Sequence, residues 1–114
     1  WDPTVLPAQT ALDLATIEGA KALGMDDKIG SVEIGKTADL ILVDTRSPNL
    51  MPIHGKDTVA SHLVYSTCAT NVDTSIVNGR VLMEGHQFRT LNRNQILENV
   101  SRVTKDLLAR YASA

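Results

Sequence analysis

Gly30-Ser31-Val32-Glu33-Ile34-Gly35-Lys36-Thr37, followed directly by Ala38-Asp39-Leu40-Ile41-Leu42-Val43-Asp44, decides how the chain is read. The first part matches G-x-x-x-x-G-K-[ST] letter for letter. A phosphate loop of that pattern follows a buried strand and opens a helix, so that backbone N–H groups and the helix N-terminus face the phosphates. Here Met25-Asp26-Asp27-Lys28-Ile29 before it is polar and turn-like, and Val32 and Ile34 inside it suit β structure. The residues after Thr37 form a continuous apolar run ended by acids, which predicts a strand buried on both faces rather than a helix. The nucleotide-binding reading fails on this context. Gly30 and Gly35 read instead as bends around a short extended segment.

Upstream, Ala8, Ala11, Leu12, Ala15, Gly19, Ala22 and Leu23 recur at helical steps and predict one amphipathic helix over residues 7–23. Leu14 and Ile17 widen its apolar stripe enough for two neighbours, Pro7 suits the first turn, and Gly24 suits a left-handed cap. Downstream, Ser47-Pro48-Asn49 and Pro52 mark irregular chain, and residues 57–65 are read as a short helix, with an extended Leu63-Val64-Tyr65 as the alternative. Residues 72–77 and 80–84 flank Asn78-Gly79, the preferred pair for a hairpin turn that needs two positive φ angles. Gly85 permits a second bend before Gln87-Phe88-Arg89. A last amphipathic helix is predicted over residues 93–111, with Ile96, Val100, Val103, Leu107 and Tyr111 on one face. Asn92 caps it, and Gln95 stands where a capping box needs it.

Composition bounds the functions open to such a chain. Its 114 residues are 43% hydrophobic and 21% charged, ordinary globular values, and the order helix, strands, small helix, hairpin, helix is that of an α+β chain. The net charge of -2 and the scattered Lys and Arg give no basic footprint for nucleic acid and no polybasic membrane patch. No stretch approaches the ~20 apolar residues of a membrane span. The lone Cys68 rules out an internal disulfide. Trp1-Asp2-Pro3 lacks the features of a signal peptide, so a cytoplasmic location is expected. The absence of an initiator methionine leads to the expectation that the chain is cut from something longer.

Chemistry-bearing residues are few. His54, His62 and His86 stand in no H-x-H, H-x-x-H or H-E-x-x-H pairing, so they are read as loop or surface residues rather than metal ligands. Cys68 with His62 invites a nucleophile reading, but its small Ser, Thr and Ala neighbours favour a buried structural thiol. Asp39 and Asp44 bracket the apolar run, where acids satisfy turn amides more often than they catalyse. No catalytic, cofactor-binding or metal-ligating residue is assigned.

Three ordered stretches carry a family resemblance. Residues 11–24 resemble the helix that follows the catalytic barrel of metal-dependent amidohydrolases. Residues 29–44 are similar to that family's G-S-hydrophobic-E-hydrophobic-G-K-x-A-D stretch, and residues 72–81 resemble its later hairpin. Leu63-Val64-Tyr65-Ser66 and the last helix look most like the branch of methylthioadenosine/S-adenosylhomocysteine deaminases and s-triazine chlorohydrolases. The resemblance implies a parent with a (β/α)₈ barrel and a divalent metal, zinc or iron, whose ligands all precede the region matched here. It implies that this chain is the C-terminal portion and contains no complete barrel. On that basis residues 1–25 are expected to form a barrel-packing helix, 26–90 the strands of a small β-sandwich, and 91–114 a C-terminal helix. Its partner would be the missing N-terminal barrel, and its exposed apolar faces would favour self-association. The chain would be inactive alone. An alternative class is an autonomous α+β module that dimerises through its terminal helices, and a third is a small enzyme using Cys68 and His62.

The hairpin reading is directly testable. Gly79→Val should lower stability by roughly 1–3 kcal/mol, because a β-branched residue is strained at positive φ. An unchanged denaturation midpoint would remove the turn assignment.

Overall fold

The computed structural model of the chain describes Asp2 and residues 5–112. The predicted first helix is present but broken. α1 (Ala8–Ala15) and α2 (Ile17–Ala22) meet at Thr16, whose φ of -126° and ψ of -100° leave the helical region. Two features cause the break. The Thr16 hydroxyl donates to the Leu12 carbonyl at 2.7 Å, a local bond that competes with the helix ladder. The chain also returns at Gly30, with φ +92°, so close that a Cβ there would lie 2.7 Å from Ala20 Cβ and 3.0 Å from Ile17 Cα. Only a glycine fits both that backbone angle and that approach. α2 then ends as the sequence predicts. With Gly24 at φ +65°, its N–H bonds to Lys21 O and that of Met25 to Ala20 O, each at 2.9 Å, which together make a Schellman cap.

Residues 31–36 are not extended strand as expected. The Ser31 hydroxyl donates to Glu33 Oε1, and Lys36 Nζ donates to Ser31 Oγ at 2.6 Å and pairs with Glu33 Oε1 at 3.3 Å. These bonds close a turn that leaves Val32 and Ile34 in solvent.

β1 (Leu40–Val43) follows, and here a second expectation is corrected. The run is a strand, but Ile41 is 60% and Leu42 54% exposed, so it is not covered on both faces. It lies at the end of an open four-stranded antiparallel sheet, in the order β1, β2 (Val72–Val77), β3 (Arg80–Glu84), β4 (Gln87–Phe88). Asn78 at φ 51° and Gly79 at φ 71° turn β2 into β3 as predicted, and Gly85 at φ 55° with His86 at φ 60° makes an equivalent turn into β4. β1 pairs with β2 in the register Leu40↔Ile76, Ile41↔Ser75 and Leu42↔Thr74, with a shift before Val43↔Val72. The described residues contain this one sheet and no second layer to make a sandwich.

Between β1 and β2, a 3₁₀ turn (Lys56–Thr58) leads into α3 (Val59–Tyr65), the predicted short helix, which packs on α1. The predicted last helix is α4 (Arg93–Ala112), whose Gln95 N–H bonds to Asn92 Oδ1 at 3.1 Å. Among the described residues only Ala20 and Leu50 are fully buried apolar positions, and α4 buries none. The radius of gyration is 19.2 Å, against about 13 Å for a compact domain of this size. The chain holds its shape with little core of its own.

Gly30→Ala should therefore destabilise the α1–α2 corner by about 3 kcal/mol, from strain at positive φ and a clash with Ala20. Thermal melting followed by circular dichroism would measure it, and a melting temperature equal to wild type would show that Gly30 is not packed there.

Candidate functional site

The densest polar cluster lies where the ends of β1 and α3 meet the start of β2. Asn71, 3% exposed, ends a 3₁₀ turn (Ala69–Asn71). Its Nδ2 donates to Asn49 Oδ1 at 3.1 Å, and Asn49 Nδ2 donates back to Asn71 Oδ1 at 2.9 Å. Asn49 Nδ2 also reaches the Ser66 carbonyl at 2.7 Å, at the C-terminal end of α3. Asn71 Oδ1 accepts from the Cys68 N–H at 2.9 Å, and the Asn71 carbonyl accepts from the Asp44 N–H at 2.8 Å. One asparagine thus ties three elements together, and the sequence reading did not single it out. The available signal was the spacing Cys68-x-x-Asn71, which is that of a capping box with cysteine in the place of serine or threonine.

Cys68 itself is exposed, which corrects the expectation of a buried thiol. Its sulfur lies 3.0 Å from Thr70 Oγ1 and donates to Asn71 Oδ1 at 3.2 Å. The hydrogen bond with Thr70 holds its pKa below the ordinary thiol value. Among the described residues no group orients His62 through Nδ1, which is buried without a hydrogen-bond partner. His54 lies in the loop before the 3₁₀ turn at Lys56, and His86 lies in the β3–β4 turn. The structure does not bring the three histidines together. Among the described residues no group of three His, Cys, Asp or Glu side chains is placed to hold a metal ion.

The acids bracketing β1 have structural partners. Asp39 Oδ1 accepts from the Asn78 N–H at 2.6 Å and Ala38 O from the Gly79 N–H at 3.0 Å, so the β1 entry grips the hairpin turn. Asp44 Oδ1 accepts from Arg46 Nε at 3.0 Å and Arg46 N at 3.1 Å, and these bonds lower its pKa. Hydrogen bonds from Ser31 and then Lys36 likewise lower that of Glu33. Lys36, the residue a phosphate loop would aim at its ligand, is engaged inside its own turn, and β1 rather than a helix follows it.

An open cleft of about 740 Å³ lies between the β3–β4 turn and the start of α4, lined by residues including Thr70, His86, Phe88 and Arg93. Among the described residues its lining has no carboxylate and one histidine, which make neither an acid–base pair nor a ligand set for a metal.

The amidohydrolase family model matches residues 1–82, and the chain belongs to the amidohydrolase family. It is 48% identical over 101 residues to the 5-methylthioadenosine/S-adenosylhomocysteine deaminase of Moorella thermoacetica, covering 89% of this chain and 23% of that enzyme. A zinc-bound adenosine deaminase from Xanthomonas campestris superposes with a TM-score of 0.85 at 31% identity, over 95% of this chain and 24% of that one. The zinc-complexed atrazine chlorohydrolase of Arthrobacter aurescens gives 0.73 at 26% identity, over 85% and 20%. These are the deaminase and chlorohydrolase relatives of the branch read from the sequence. The chain spans about a quarter of the length of the curated relatives it matches.

The Asn49–Asn71 pair generates a quantitative expectation. Asn71→Ala should cost about 1–3 kcal/mol, since it removes the buried amide that holds the Asn49 side chain and the Cys68 N–H. In a double-mutant cycle, Asn49→Ala should be much less harmful in the Asn71→Ala background than in wild type. Additive losses would show that the two amides do not work as a unit.

Proposed function

We propose that this chain is the structural C-terminal portion of a metal-dependent amidohydrolase, inactive alone, whose whole enzyme deaminates or dechlorinates purine- or triazine-like rings. The observation that carries this reading is the 48% identity to a deaminase of which the chain spans 23%, while its described residues provide no ligand group for a metal. A divalent metal of the kind bound in the zinc-containing neighbours would supply activation of water for attack on the ring. These residues do not fit such an ion, so no catalytic step is assigned to them.

Their work is mechanical. The partner is the catalytic barrel. Leu14, 53% exposed on α1, and the outward Ile41 and Leu42 of β1 offer it apolar surface. The free edge of β1 offers unpaired backbone groups to further strands, which would complete a sandwich. A cytoplasmic setting accords with this role. Among the described residues no helix is long and apolar enough to cross a membrane.

The purified chain, supplied with zinc and offered methylthioadenosine, should release no ammonia. Zinc-stimulated deamination by the isolated chain would overturn the reading.

A further inference from the structure

α4 leaves a continuous apolar stripe uncovered. Ile96, Leu97, Val100, Val103, Leu107 and Leu108 are all exposed. At 3.6 residues per turn they fill an arc of about 140°, wider than the narrow seam of a two-stranded coiled coil and typical of a helix laid on a globular surface. The opposite face carries Glu98, Lys105 and the Arg102–Asp106 pair, whose atoms are 4.0 Å apart. α4 is therefore shaped to be covered on one side only.

Two observations indicate what covers it. α4 lies beyond residues 1–82, the part of the chain common to the wider family. Yet the adenosine deaminase superposition takes in 95% of the chain, and the remainder is far shorter than the 20 residues of α4. At a TM-score of 0.85, α4 stands off from the sheet as the corresponding helix does in a chain of which this one covers 24%. A pose with no buried side chain of its own, shared with a molecule about four times longer, is held by the part found only in the longer one.

We propose that the apolar stripe of α4 docks onto the rest of the same amidohydrolase polypeptide, as a strap that ties this unit to the metal-bearing part. The proposal rests on the functional reading above and adds the surface and its occupant. The rival occupant, a second copy of the chain, requires a self-complementary seam and would make the assembly depend on α4.

The test replaces the matching 101 residues of the Moorella thermoacetica deaminase with the corresponding residues of this chain, extended through α4. The unmodified graft should deaminate; failure to do so would count against the functional reading rather than the strap. In the graft, Val103→Lys with Leu107→Lys should lower the melting temperature by several degrees without changing the mass measured by light scattering. The control, Glu98→Lys with Lys105→Glu on the polar face, should leave both unchanged. An unmoved melting temperature, or a mass halved by the stripe pair, would overturn the proposal. The isolated chain gives a reading independent of the graft. Its hydrophobic-dye binding should fall on introducing the same pair, and dye binding unmoved by the pair would overturn the strap.

Discussion

Asn49 and Asn71 face each other with paired amides, each donating to and accepting from the other across 22 residues of sequence. In a protein with a large apolar core such a pair would be one contact among many. Here the fully buried apolar side chains among the described residues are Ala20 and Leu50, and Leu50 is the residue next to Asn49. The pair fixes the end of α3, the turn before β2 and the backbone leaving β1, so the geometry of the sheet depends on it. The network is anchored on one buried amide, Asn71, and that end is costly to leave unsatisfied.

The rest of the frame follows the same rule of hydrogen bonds and close backbone approach in place of burial. Asp39 holds the Asn78-Gly79 turn against the entry of β1, and Gly30 lets the following loop press into the corner between α1 and α2. With so little apolar area hidden, conformational entropy is offset less than in an ordinary domain of this length. The apolar surfaces on α1, β1 and α4 are the complement of that deficit. In the reading proposed above, they are the faces through which a larger amidohydrolase would supply the missing burial.

Much of this architecture was legible in the sequence wherever local chemistry decides. Asn78-Gly79 demanded positive φ twice, Gly24 a left-handed cap and Asn92 a helix start, and each stands where it was read. The phosphate-loop pattern was rejected on context, and the network of Lys36 with Ser31 and Glu33 is the physical counterpart of that rejection. What escaped was tertiary. The break at Thr16 needs the returning Gly30, which helical periodicity does not register. The apolar run of β1 expresses a demand for cover on both faces, and a sequence cannot say whether the cover belongs to the same chain. Cys68 was misjudged because small neighbours imply close packing only when other elements enclose them. Asn71 was missed because its partners come from separate elements, although its spacing from Cys68 was there to be noticed.

The two hairpins and the β1–β2 pairing also differ in how far apart in sequence their partners lie, and this bears on how the molecule assembles. β2, β3 and β4 are joined by tight turns, so their pairing closes short loops and belongs to the microsecond range of hairpin formation. β1 must return across the segment that contains α3, and its contact with the hairpin turn, Asp39 to Asn78, spans 39 residues. The entropy of closing a loop rises only slowly with its length, so the detour itself is inexpensive, but the ladder repays it only after the chain has come back. On a ribosome, β1 leaves the exit tunnel well before its partner exists. The exposed Ile41 and Leu42 then spend that interval on an unpaired strand, the time when such a segment is most available to chaperones or to aggregation.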